Sequence, residues 1–151
     1  MTKAKSHVPE GLPAVIPQLV VKDARAVVDF AVIAFGAELG HFMPGPDGKG
    51  VMHGMFRIGG AVVFISDIPG FAQPTSANLM VYVPDVDASV AKAEAAGAKI
   101  LAPPSDMFWG DRWAMVSDPS GTIWQVATHV ERVAPDEMMK RMAASQAARP
   151  R

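Results

Sequence analysis

Three side chains in this sequence could together hold a divalent metal. His129 and Glu131 stand two positions apart, a spacing that sends both to one face of a strand, and His53 sits in an earlier apolar run. Two imidazoles and a carboxylate form a donor set suited to non-haem iron or zinc. The competing reading is that His129-Val130-Glu131 ends a strand in solvent. Arg112, following Gly110-Asp111, carries the planar fork that grips an anionic ligand bidentately. It could equally pair with Asp111 to fix its loop, or stay solvated. Phe108, Trp109 and Trp113 surround it and offer rings on which planar molecules stack. Gln18, Asn78 and Gln125 add neutral amides that both donate and accept. There is no cysteine, so thiolate nucleophiles, disulfides and cysteine-based metal sites are excluded. No nucleophile–base pair or phosphate-cradling glycine loop is visible.

The elements that must position these groups are written twice. Val21-Lys22-Asp23 opens a segment closing at Phe35-Gly36-Ala37, and Val83-Pro84-Asp85 opens another closing at Ala96-Gly97-Ala98. Gly36 and Gly97 lie 61 positions apart, as do Gly60 and Gly121, so strands and helices share one register. A repeat of this length is one supersecondary unit duplicated. In the first copy Val15–Val21 reads as a strand, and Asp23 caps a helix over Ala24–Phe35 that Gly36 ends. Strands at His41–Met43 and Val51–Ile58 flank the turn Pro44-Gly45-Pro46-Asp47-Gly48, and Gly59-Gly60 makes a two-residue hairpin. In the second copy Leu79–Val83 is a strand and Asp87 caps a helix over Ala88–Ala96. Ile100-Leu101 begins the next strand, and Arg112–Val116 and Thr122–Thr128 pair across Asp118-Pro119-Ser120-Gly121, a turn given no chemistry. Pro135, Asp136 and Glu137 begin a terminal helix.

The order is therefore βαβββ twice in an α+β chain, with a short C-terminal helix. The expected segments are a flexible arm over 1–13, units over 14–67 and 77–131, a linker over 68–76, and a helix with its tail over 132–151, all one domain. Helices on one face leave each sheet a second, helix-free face, and two such curved sheets can close around a cavity. Alternation gives that face Gln18, His53, Met55, Phe64, Asn78, Met80, Tyr82 and Gln125, with His129 near its end. The hairpin register puts Met55 opposite Phe64, His53 opposite Ser66 and Arg57 opposite Val62. An apolar wall with a few neutral polar groups suits a small-molecule pocket. The alternative is a centre simply filled by these side chains, against which the amides weigh, since each would need a buried partner. His7 and His41 read as exposed.

Taken together, Val-Val-Lys-Asp (20–23), Phe-Gly-Ala (35–37), Pro-Gly-Pro-Asp-Gly (44–48), Val-Met-His (51–53), Gly-Asp-Arg (110–112), Asp-Pro-Ser-Gly (118–121) and Trp-Gln-Val-Ala-Thr-His-Val-Glu (124–131) resemble the vicinal oxygen chelate superfamily. That superfamily comprises glyoxalase I, extradiol dioxygenases, fosfomycin resistance enzymes and bleomycin-binding proteins, and the resemblance is greatest to its PhnB-like branch. It implies the glyoxalase fold, a homodimer, and a ligand in the cavity. In metal-using members one ligand stands on the first and one on the fourth strand of each unit. Those positions carry Ile16, Phe64, Asn78 and Gln125 here: two without donors and two with neutral amides. Phe30 is followed by Ala31 where an aromatic pair is usual.

The resemblance and the residues together point to a small-molecule binder without the usual metal. Gln18, His53, Asn78, Tyr82 and Gln125 orient the ligand, Met55, Phe64 and Met80 give apolar contact, and Trp109 and Arg112 guard the entrance. The rival is a lyase, isomerase or dioxygenase with a displaced divalent metal at His53, His129 and Glu131; a filled, silent interaction domain is the third reading. Across 151 residues the net charge is −1 with no basic stripe, which argues against nucleic acid. No apolar run reaches membrane-spanning length and the first residues lack an apolar export core, so a cytoplasmic address is expected.

Overall fold

The computed structural model describes residues 6, 8–67 and 77–147. His7 and the linker expected over 68–76 lie outside the described residues. The chain divides into two compact units, and each repeats the βαβββ order.

The N-terminal unit holds β1 (Gln18–Val20), α1 (Ala24–Phe35), β2 (Glu38–Pro44), β3 (Val51–Ile58) and β4 (Ala61–Ser66). Its strands lie in the order β1-β4-β3-β2, with β1 parallel to β4 and the other pairs antiparallel. Helix α1 starts and stops where the sequence dictates. The Asp23 carboxylate accepts from the Ala26 amide at 2.9 Å, and Gly36 takes φ 68°, a left-handed turn that a side chain would strain. The helix buries Val27, Val28, Phe30, Ala31 and Ala34, and the sheet buries Leu19, Phe56, Val63 and Ile65. Each large side chain among these contributes about 1.5–3 kcal/mol. Gly54 makes room for Phe42, whose ring atoms would lie 2.7 Å from a Cβ there. Arg25 caps the same ring at 4.6 Å.

The C-terminal unit holds β5 (Asn78–Tyr82), α2 (Val86–Ala95), β6 (Lys99–Asp106), β7 (Asp111–Ser117) and β8 (Ile123–His129), followed by α3 (Pro135–Ala147). The strand order β5-β8-β7-β6 is that of the first sheet, again with one parallel pair. Val81, Val83, Val86, Val90, Ala93, Ala114, Val116, Trp124 and Val126 are buried. The Asp118 side chain, itself buried, accepts from the Ser120 and Thr122 amides and from the Trp124 indole, at 2.9, 3.0 and 3.1 Å. The β7–β8 turn is thereby locked onto the largest core side chain.

Two sequence expectations change. The first strand is only three residues long, with Val15 outside it and 84% exposed; Pro17, which lacks an N–H, contributes only its carbonyl, to the Phe64 amide at 2.9 Å. Helix α2 begins two residues before its expected start. Asp85 is its cap, accepting from the Ala88 amide at 3.0 Å, and Asp87 lies in the first turn. Both aspartates are good caps by type, and Asp87 is claimed by a distant arginine instead.

Candidate functional site

In the C-terminal sheet the side chains opposite α2 come from alternate positions: Asn78, Met80 and Tyr82 on β5, Asp111, Trp113 and Met115 on β7, and Gln125, Ala127 and His129 on β8. Register aligns them in rows, Met80 beside Gln125 beside Met115, Tyr82 beside Ala127 beside Trp113, and His129 beside Asp111. Two hydrogen-bonded groups result. In the first, the Trp113 indole donates to Gln125 Oε1 at 3.1 Å, and Gln125 Nε2 donates to Asn78 Oδ1 at 3.0 Å.

The second group centres on Asp111, whose side chain is only 4% exposed. Tyr82 Oη and Trp109 Nε1 both donate to its Oδ2, at 2.9 and 3.0 Å. His129 Nδ1 lies 2.8 Å from its Oδ1. Burial pushes the Asp111 carboxyl up, but the bonds from His129, Tyr82 and Trp109 outweigh it and hold the group below the usual carboxylate range. The same bond to Asp111 is the main cause pushing the Tyr82 phenol up, since losing its proton would set two anions together. An ionised carboxylate only accepts, so His129 Nδ1 must carry the proton it donates. The histidine is 59% exposed and directs its other nitrogen away from this bond. Trp109 stands edge-on to Phe108 and Trp113, with ring centroids 5.1 and 6.4 Å away, and the three form an aromatic shelf beside the carboxylate.

The turn carrying Trp109 is fixed by Gly110, at φ 99°, where a Cβ would run into the Glu131 carbonyl. The Gly110 carbonyl accepts from the Val130 and Glu131 amides at 3.0 and 2.9 Å. The turn is thus tied to the segment leaving β8, and Trp109 and His129 keep a fixed relation to Asp111.

Arg112 is not on this face. It alternates with Asp111 onto the α2 side, where it donates twice to Asp87, at 2.6 and 2.8 Å, and once to Asp106, at 3.1 Å. The guanidinium lowers the Asp87 pKa, and the two carboxylates hold Arg112 further above its ordinary value. Asp111 and Arg112 therefore do not pair with each other.

In the N-terminal unit, Gln18 and Met55 both register with Phe64. The His53 ring stands edge-on to Phe64 with centroids 4.6 Å apart. His41 lies 5.5 Å from His53, exposed as expected but a partner that the sequence did not suggest. Gly40 lets the Met55 side chain pass over it, since a Cβ there would meet Met55 Cε at 2.8 Å. The strand pairing Met55–Phe64 and Arg57–Val62 matches the expected hairpin register.

The donor set does not suit a metal at the positions inferred from the resemblance. Ile16 and Phe64 have nothing to give, and Asn78 and Gln125 spend an oxygen and an N–H on each other. The alternative trio fares no better. Glu131 is held by Arg141 of α3, at 2.8 and 2.9 Å, while His129 turns to Asp111. Among the described residues no group of three His, Asp or Glu side chains is placed to hold an ion.

Sequence reasoning missed Asp111 as a centre. The signal was present: pairing Ser117 with Ile123 across the turn puts Asp111 opposite His129 by counting alone.

Comparison with known proteins agrees with the architecture. The profile of the Glyoxalase/Bleomycin resistance protein/Dioxygenase superfamily matches residues 13–126. An uncharacterized protein of Mycobacterium tuberculosis is 40% identical over 143 residues, covering 87% of this chain and 83% of that one. Among solved structures, TioX from Micromonospora sp. ML1 superimposes with a TM-score of 0.64 at 28% identity, over 78% of this chain and 99% of TioX. A glyoxalase/bleomycin resistance protein from Streptomyces sp. CB03234 gives a TM-score of 0.55, also at 28% identity, over 74% of this chain and 96% of that one. The chain belongs to the Glyoxalase/Bleomycin resistance protein/Dioxygenase superfamily.

Proposed function

We propose that this superfamily member is a small-molecule binder of the glyoxalase/bleomycin-resistance type, working without the superfamily's usual metal and standing nearest the PhnB-like branch. The observation that carries the reading is the chain Trp113–Gln125–Asn78. Two positions that would ligate an ion carry neutral amides bonded to each other and to an indole, so the donors a divalent ion needs are missing there. What these residues offer a ligand is a half-exposed sheet face with aromatic rings, thioethers and a few spare donors. Such a face binds planar molecules by stacking and orients them by hydrogen bonds. Asn78, Met80, Tyr82, Trp109 and Gln125 line it in the C-terminal unit, and Gln18, His53, Met55 and Phe64 form its counterpart in the N-terminal unit. Arg112, bound to two carboxylates on the helix side, supports its own unit and is left out of the ligand set. The protein is expected to act as a homodimer.

Elemental analysis of dialysed protein after adding back Ni, Zn, Mn, Fe and Co tests the metal-free reading. The expected result is no retained ion, together with a melting temperature raised by planar aromatic compounds. Near-stoichiometric retention of any of these metals would overturn it.

A further inference from the structure

Four elements converge on the Asp111 carboxylate: Tyr82 from β5, Trp109 from the turn before β7, His129 from the end of β8, and β7 itself. Three donors fill both carboxylate oxygens. Two of them, phenol and indole, have no other proton to give, so Tyr82 and Trp109 cannot also donate to a ligand through those atoms. The third differs. With its Nδ1 proton committed to Asp111, neutral His129 presents Nε2 as a bare lone pair, and the ring is 59% exposed beside the aromatic shelf. A fully exposed histidine interconverts between tautomers and could donate or accept, whereas this one can only accept until it is protonated. The buried carboxylate also stands ready to stabilise the imidazolium once a proton arrives. The charged and titratable groups around the ring are Asp111 and Tyr82; Glu131, two residues on, is bound by Arg141, which it shares with Glu137.

We propose that His129 Nε2 selects the ligand: it is a fixed proton acceptor for planar aromatic molecules that carry an acidic O–H or N–H beside the ring. The step is a proton transfer on binding. The ligand O–H bond breaks, its electron pair stays on the ligand oxygen, an Nε2–H bond forms, and the resulting imidazolium lies between the ligand anion and the Asp111 carboxylate. No oxidant, reductant or metal takes part. The inference rests on the proposal that the helix-free face of the C-terminal unit binds planar molecules, and it adds which ones.

The test uses 4-nitrophenol and its methyl ether 4-nitroanisole, which share a ring and differ in the acidic proton. Binding is measured by equilibrium dialysis, and the proton's position by the visible phenolate band at a pH where free nitrophenol is mostly neutral. Wild type should bind the phenol roughly tenfold more tightly than the ether, as expected for a charge-assisted bond, and the bound phenol should show the phenolate band. H129Q, changed at an exposed side chain, should bind both probes alike with no phenolate band. Equal binding of the two probes by wild type, or a phenolate band that survives in H129Q, overturns this proposal and leaves planar binding standing. Failure to bind either probe overturns both.

Discussion

Position 64 on β4 and position 125 on β8 are equivalent in the repeat, yet one carries Phe64 and the other Gln125. The same sheet order surrounds both. In the N-terminal unit, Phe64 meets the edge of His53, with His41 beyond, and contact is ring against ring. In the C-terminal unit, Gln125 is one link in a directional chain, and its neighbours gather on the buried Asp111. Edge-on and tilted ring contacts tolerate slippage more than hydrogen bonds do, because dispersion depends weakly on angle. A carboxylate serving three donors fixes each of them in distance and direction. Duplication therefore kept the backbone and divided the faces into an adaptable one and a specified one.

The largest effect expected from breaking this difference is at Asp111. Asp111→Ala leaves three donors without their acceptor and should cost about 3 kcal/mol, the range for bonds to a charged group; urea unfolding followed by circular dichroism would show it, and a cost below about 1 kcal/mol would mean that the cluster does not organise the face. Next come the two helix anchors, which share one position in the repeat. Asp67 accepts from the Ala24 and Val51 amides at 2.9 and 2.6 Å, and Thr128 accepts from the Val86 amide at 2.9 Å. Asp67→Ala and Thr128→Val should each cost about 1–2 kcal/mol, with Asp67 the larger because its acceptor is charged and serves two amides. Equal losses in calorimetry would say that charge adds nothing. His53→Ala should cost less, about 1 kcal/mol or under, because only an edge contact is lost.

The pH profile sharpens the same contrast with the smallest signal. The Asp111 carboxyl is depressed in the folded state, so its contribution is complete above the ordinary carboxylate value of 3.8 and is lost as pH falls below it. The Tyr82 phenol is raised, so its contribution holds below 10.0 and is lost as pH climbs past that value. Tyr82→Phe should flatten the alkaline limb of a melting-temperature profile and, by removing one of the three bonds that depress the Asp111 carboxyl, shrink the acid limb without abolishing it. An unchanged alkaline limb would remove Tyr82 from the account.

What could be read from the sequence follows the range of the interactions. Helix α1 was legible to its ends because Asp23 and Gly36 act on amides and carbonyls within one turn. The hairpin register of β3 and β4 was legible because a two-residue turn allows little else. The start of α2 was misjudged because Asp85 and Asp87 are alike as caps by type, and the partner that Asp87 takes instead, Arg112, is 25 positions away. Arg112 itself was misjudged for the same reason: its fork was visible, but the carboxylates that fill it were not. The polar face was legible as a set of residues, since alternation assigns Asn78, Tyr82 and Gln125 to one side, and counting across the turn sets Asp111 opposite His129, yet the convergence on Asp111 also needs Tyr82, 29 positions before it on another strand.

The placement of Asp67 and Thr128 also sets a timetable for synthesis. Each holds the opening amide of its unit's helix from the far end of that unit. A nascent chain that has released α1 from the ribosome cannot dock its start until residue 67 has followed, and the same wait applies to α2 until residue 128. Each helix therefore gains this anchor only after the last strand of its half has been made, whatever forms before it.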